Sequence, residues 1–136
     1  MSEQEHKPDK TPGIVSWNEL ATNDAAASQA FYTQLFDWKV ETMDMGPAGT
    51  YNMFNTGSRP AAGMISMPPE AKGAPTMWMG YITVENVEQS VAKAQSLGAR
   101  VLKEVITLPM GSFAVIADPQ GAVFGLWQYS ESGCGQ

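Results

Sequence analysis

The sequence predicts an α+β fold of two tandem βαβββ modules that form a curved sheet, with helices outside and a concave ligand cup inside. Three observations carry this expectation. A single offset of 62 positions aligns the two halves of the chain without a gap. Each half holds one segment with apolar residues at helical spacing, flanked by segments that alternate like strands. The chain is also long enough for one domain with a buried core, with 136 residues, 43% of them hydrophobic and 16% charged.

The repeat is read residue by residue. "LATNDAAASQA" (Leu20 to Ala30) falls on "ITVENVEQSVA" (Ile82 to Ala92), so Asp24 matches Asn86, Ser28 matches Ser90 and Ala30 matches Ala92. "GTYNMF" (Gly49 to Phe54) falls on "GSFAVI" (Gly111 to Ile116), Gly63 on Gly125 and Met64 on Leu126.

The elements follow in order. Ile14 to Ala21 is a strand. Asp24 caps a helix from about Ala25 to Phe36, with Ala27, Phe31 and Leu35 on its apolar face and Ala30 beside them. Asp37 to Met43 and Thr50 to Asn55 are strands joined through "DMGPAG", and a fourth strand runs from about Ala61 to Met67. A linker rich in Pro, Gly and Ala spans 68–76. The second module opens with a strand from Trp78 to Val84. Asn86 then caps a helix from Val87 to Leu97, with Gln89 at the capping-box position and Val87, Val91 and Ala94 as its apolar stripe. Gly98 supplies a left-handed end. Arg100 to Thr107, Ser112 to Asp118 and Ala122 to Tyr129 are strands, the last two joined by the turn "DPQG". The expected organisation is a flexible arm at 1–12, one domain at 13–130 with modules at about 14–67 and 77–130, and a flexible tail at 131–136. A single module leaves one sheet face uncovered. Two side by side make the cup, a natural small-molecule site.

Composition narrows the function. No apolar run approaches the roughly 18–20 residues that span a bilayer, and the polar start "MSEQEHKPDKTPG" does not read as a signal peptide, so a cytoplasmic location without membrane contact is expected. A net charge of −6 without a basic stripe argues against nucleic acid. The one cysteine, Cys134, cannot form an internal disulfide, and the one histidine, His6, lies in the arm. No nucleophile–histidine pair, phosphate loop or dinucleotide fingerprint is present.

"ATNDAAASQAFYTQLFDW", "VENVEQSVAKAQSLGARVL" and "ADPQGAVFGLWQ", in this order and spacing, resemble the glyoxalase / bleomycin-resistance / extradiol-dioxygenase (vicinal oxygen chelate) superfamily from Ile14 to Tyr129. The resemblance implies that metal-using members place four ligands, usually His, Glu or Gln, on the first and fourth strands of each module. Those positions here are Trp17, Gly63, Met79 and Gly125, and the offset of 62 relates them in pairs. None offers an imidazole, carboxylate or thiolate, so no metal and no cofactor are expected.

Strand alternation sets Leu20, Ile82, Val84, Phe124 and Leu126 beneath the helices. It turns Trp17, Glu19, Met79, Tyr81, Val123 and Trp127 into the cup. Three roles stay open for Glu19: general base, counter-charge for a cationic ligand, or a partly solvated carboxylate near a sheet edge. Tyr81 is first a pocket wall and second an acid, while Trp17, Trp78 and Trp127 offer stacking surfaces. The expected function is a metal-independent small-molecule binding protein whose ligand meets Trp17, Glu19, Met79, Tyr81 and Trp127. Two alternatives stand beside it. One is a lyase, isomerase or oxygenase-type enzyme with catalytic Glu19 and Tyr81, helped by Asn52 or Tyr51. The other is an interaction module. The resemblance also implies a homodimer.

Overall fold

The computed structural model describes residues 10–44, 50–66 and 75–130. His6, Cys134, most of the expected arm and linker, and the tail lie outside the described residues. The elements run β1 (Val15–Thr22), α1 (Ala25–Phe36), β2 (Lys39–Asp44), β3 (Thr50–Asn55), β4 (Pro60–Ser66), β5 (Met77–Thr83), α2 (Val87–Ser96), β6 (Arg100–Leu108), β7 (Gly111–Ala117) and β8 (Val123–Tyr129). The predicted βαβββ order therefore occurs twice. The chain divides into two compact units, one holding residues 17–79 and the other residues 10–16 with those from Gly80 on.

In the first unit the strand order is β2-β3-β4-β1. β1 and β4 run parallel with Glu19 opposite Gly63, Leu20 opposite Met64 and Ala21 opposite Ile65, and the remaining pairs are antiparallel. The second unit repeats this as β5-β8-β7-β6. Its parallel pair sets Tyr81 opposite Gly125, Ile82 opposite Leu126 and Thr83 opposite Trp127. Every one of these partners is its counterpart in the first unit moved by 62 positions. The sequence repeat is thus a repeat of strand register, which a slip of one residue would destroy by turning every side chain to the other face.

The helices begin where the sequence places their caps. Asp24 is extended, and its side chain accepts a hydrogen bond from the Ala27 amide at 3.0 Å. Asn86 does the same for the Gln89 amide at 2.9 Å. Each satisfies an amide that the helix itself leaves without a partner. Beyond α2, Gly98 has φ +103°, a left-handed conformation that glycine adopts without strain. Asp118 folds the last turn, its carboxylate accepting from the amides of Gln120 at 2.8 Å and Ala122 at 2.9 Å.

Each unit has its own core between helix and sheet. In the second, Val87 and Val91 of α2 meet Ala114, Ile116 and Leu126, with Val84, Ala94 and Phe124 packed around them. The predicted stripe of α2 is therefore the buried one. In the first, Leu20, Phe54, Ala62 and Met64 are buried beneath Ala25, Tyr32 and Trp38.

The face expected for α1 needs correction. Phe31 is 57% and Leu35 56% exposed, and Ala27 is exposed with them. Ala25, Ser28 and Tyr32 turn inward instead, also at helical spacing. Tyr32 wins the inner place because it can both pack and bond. Its ring lies 5.9 Å from Phe54 and 6.0 Å from Trp38, and its hydroxyl accepts from the Trp78 indole N–H at 3.0 Å. Ser28 reaches the buried Thr22 hydroxyl at 2.8 Å. Apolarity alone selects Phe31 and Leu35 and overlooks these polar pairings.

Candidate functional site

In the first unit, Leu20, Phe54 and Met64 point toward α1. Alternation turns their neighbours Trp17, Glu19, Tyr51, Met53 and Gly63 to the opposite face. Glu19 is only 5% exposed. The Tyr51 hydroxyl donates to its Oε2 at 2.8 Å, and the same hydroxyl accepts from the Trp17 indole N–H at 2.9 Å. Burial first, then the neighbouring Glu19 carboxylate, pushes the Tyr51 phenol far above its usual value. The phenol stays protonated and keeps its role as donor to Glu19. This overturns one of the roles left open for Glu19: it is no partly solvated carboxylate near an edge, since β1 pairs with β4 along this stretch and Tyr51 reaches across Gly63 to bond it.

Gly63 is what makes the arrangement possible. A side chain there would collide with the Tyr51 hydroxyl and come within 3.1 Å of the Trp17 indole nitrogen. The second unit uses the same device at Gly125, where a side chain would run into the Tyr81 ring. Tyr81 is 5% exposed and stands edge-on to Phe113, with ring centres 6.1 Å apart. Phe113 is paired in register with Trp127, whose own ring fills the space over Gly111. Trp127 also meets Tyr129 edge-on at 5.7 Å.

The structure thus brings Trp17 and Glu19 together with Tyr51, and separately Tyr81 and Trp127 with Phe113. Met79 is buried on β5, within the first unit. Tyr51 is central where the sequence offered it only as a helper. Its signal was its place three residues before Phe54, on the other face of β3. Asn52, the other expected helper, must be withdrawn. It points away from Tyr51 by alternation and accepts from the Thr42 hydroxyl at 2.9 Å on the neighbouring strand. Trp78 is spent on Tyr32. Two open hollows of about 330 and 380 Å³ lie elsewhere in the second unit, around Thr83, Val84 and Glu85, and include neither Tyr81 nor Trp127.

A catalytic metal does not fit the residues at the four positions that the resemblance singles out. Two are glycines whose side-chain space is taken by tyrosines, and Trp17 and Met79 carry no hard or imidazole donor. Among the described residues no group of three or more His, Cys, Asp or Glu could hold an ion.

Comparison with known proteins agrees with this architecture. The chain is 32% identical over 115 residues to "Putative glyoxylase CFP32" of Mycobacterium tuberculosis, covering 84% of this chain and 43% of that protein. It is 29% identical over 130 residues to the anthracycline biosynthesis protein DnrV of Streptomyces peucetius, covering 86% and 47%. The chain therefore spans less than half the length of these relatives. The solved structure of hypothetical protein BH1468 from Bacillus halodurans shares the fold, with a TM-score of 0.58 at 12% identity over 90% of this chain and 99% of that one. Among the described residues no helix is long and apolar enough to cross a membrane. The family model for the Glyoxalase/Bleomycin resistance protein/Dioxygenase superfamily matches residues 14–126, and the chain belongs to that superfamily.

Proposed function

We propose that this chain is a metal-independent small-molecule binding protein whose sheet faces opposite the helices receive a flat, largely apolar ligand. The observation that supports it most is the filling of the Gly63 position by the Tyr51 hydroxyl, which holds a buried carboxylate where a metal ligand would otherwise project. In this reading Trp17 stacks on the ligand, Glu19 sets the polarity that the ligand must match, and Met79 supplies an adaptable apolar contact. Trp127 gives the second unit its aromatic surface, and Tyr81 is buried behind it against Phe113. DnrV carries the name of anthracycline biosynthesis, and anthracyclines are polycyclic aromatic compounds, a chemistry such surfaces suit.

Tag-free protein purified without chelators is the material for the test. Elemental analysis is expected to find no stoichiometric metal. Titration with a planar polycyclic aromatic probe is expected to quench tryptophan fluorescence, less so in Trp17→Ala. A stoichiometric metal that Glu19→Gln releases would sink the metal-free reading. Quenching that is the same in Trp17→Ala would sink the assigned face.

The buried carboxylate held by a phenol also supports a second reading, an acid–base enzyme of the lyase or isomerase type with Glu19 as the proton carrier. Turnover retained by Glu19→Ala would remove Glu19 from that role. Tyr81, packed over Gly125, is a wall in either reading.

A further inference from the structure

We infer that Trp17, Tyr51 and Glu19 form a one-electron donor, in which an oxidising aromatic radical lying on Trp17 takes an electron from Tyr51 through the indole while the Tyr51 proton passes to Glu19. This rests on the function proposed above for the ligand face of Trp17, and adds a chemistry to it. Three side chains of the first unit meet in series. The Trp17 indole N–H donates to the Tyr51 hydroxyl at 2.9 Å, and that hydroxyl donates to Glu19 Oε2 at 2.8 Å. Glu19 is buried, whereas Trp17 is half-buried, so an oxidant meets the indole and not the carboxylate. The bare backbone of Gly63 holds the place open for the phenol between them.

A neutral phenol gives up an electron readily only when its proton leaves too, because an oxidised phenol is a very strong acid. The route in which the proton leaves first is closed here. Burial, and then the Glu19 charge, keep the Tyr51 phenol protonated far above its usual range. Glu19 accepts at hydrogen-bond distance, so proton and electron leave together. The step balances. The aromatic radical gains one electron and becomes a closed-shell anion. Tyr51 loses one electron and its O–H bond and becomes a neutral phenoxyl radical. Glu19 gains the proton and becomes a neutral carboxylic acid. The buried negative charge is thereby discharged, which relieves a desolvation cost. A thiolate-class reductant then returns one electron, itself becoming a thiyl radical, and Glu19 returns the proton. The Tyr32–Trp78 pair is an internal comparison. There an indole N–H also donates to a phenol, at 3.0 Å, but among the described residues no carboxylate accepts from that phenol.

The test is a laser flash experiment on the tag-free full chain, with photo-oxidised ruthenium tris-bipyridine as a soluble one-electron oxidant and no ligand bound. Transient absorption and electron paramagnetic resonance follow the indole and phenoxyl radicals. In the wild type the indole radical is expected to decay as a phenoxyl radical rises, and the rise should slow in heavy water. Tyr51→Phe should remove that phenoxyl phase. Glu19→Gln keeps a hydrogen-bond acceptor but cannot take the proton, and should slow the rise at least about tenfold. Tyr32→Phe is the control and should leave both signals as they are. A phenoxyl rise that survives Tyr51→Phe overturns the proposal, as does an equal rate in Glu19→Gln. Should Glu19→Gln fail to fold, a wild-type rise that is the same in heavy water overturns it instead. Because no ligand is used, failure here strikes the relay alone, while a planar probe that ignores Trp17→Ala strikes the ligand face alone.

Discussion

Gly63→Ala offers a sharp test of how the first unit is built, because two effects predict opposite signs. Gly63 lies inside β4, where glycine costs roughly 0.5–1 kcal/mol relative to alanine. On propensity alone, Gly63→Ala should stabilise. The structure says otherwise, since the new methyl would occupy the position of the Tyr51 hydroxyl. Tyr51 must move, and two hydrogen bonds go with it, the one from Trp17 and the one to Glu19. A bond to a charged group contributes about 1.5–3 kcal/mol and a neutral one about 1 kcal/mol. Subtracting the gain from propensity leaves a net loss of about 2–3 kcal/mol. At about 4 °C per kcal/mol for a domain of this size, Tm should fall by roughly 8–12 °C. Thermal unfolding by circular dichroism measures this, and a double-mutant cycle assigns the cause. In a Tyr51→Leu background the hydroxyl is gone, and Gly63→Ala should cost little or even stabilise. An equal loss in both backgrounds, or no loss in the wild type, would refute the claim that Gly63 exists to admit Tyr51.

The other expectations concern single groups. Tyr51→Phe should leave the phenolate absorbance of the folded protein at pH 11 unchanged, because Tyr51 is held protonated well above its ordinary range. By linkage, a phenol whose folded pKa is raised adds stability that is fully present below its unfolded value of about 10 and is lost as pH rises above it. The wild type should therefore lose stability faster than Tyr51→Phe above pH 10, as followed by urea unfolding at stepped pH. Asp24→Ala and Asn86→Ala should each destabilise by about 1 kcal/mol through loss of a helix cap, read from denaturant midpoints. Asp37 ends α1 at φ 64°, a left-handed conformation that glycine adopts more readily, so Asp37→Gly should stabilise by a few tenths of a kcal/mol to about 1 kcal/mol in the same assay.

Much of the fold was legible because it rests on local chemistry that repeats. Asp24 and Asn86 announce both helix starts, Gly98 the end of the second, and Asp118 to Gly121 the last turn. The offset of 62 also recurs in strand register, with Glu19 opposite Gly63 and Tyr81 opposite Gly125. What stayed hidden depends on partners distant in sequence. Apolarity nominated Phe31 and Leu35 for the core, but Tyr32 took it through Phe54, Trp38 and Trp78, the last of them 46 positions away. Glu19 was singled out from strand alternation, yet its partner Tyr51 is 32 positions on and became visible only once β3 and β4 were laid side by side. Alternation along one strand names a face. It does not say which side chain on the neighbouring strand reaches across.

The two glycines show how much of the site's character follows from such reach. Gly63 and Gly125 occupy equivalent places in the two modules, each opposite the residue that the other module matches, Glu19 in one and Tyr81 in the other. In both, the missing side chain makes room for a tyrosine, but the tyrosines come from different strands. Tyr51 arrives from β3 and brings a hydroxyl to a carboxylate, so the first unit presents a polar relay ending in an indole. Tyr81 arrives from β5, directly opposite its glycine, and brings a ring to Phe113, so the second unit presents an aromatic wall. One device therefore yields two surfaces of different chemistry, set by which strand supplies the ring. It also makes the introduction of a ligand at position 63 a two-step change. A carboxylate at position 63 has no space until Tyr51 is removed, and removing Tyr51 strips the buried Glu19 of a donor. Each single step destabilises the first unit before any ligand set is gained.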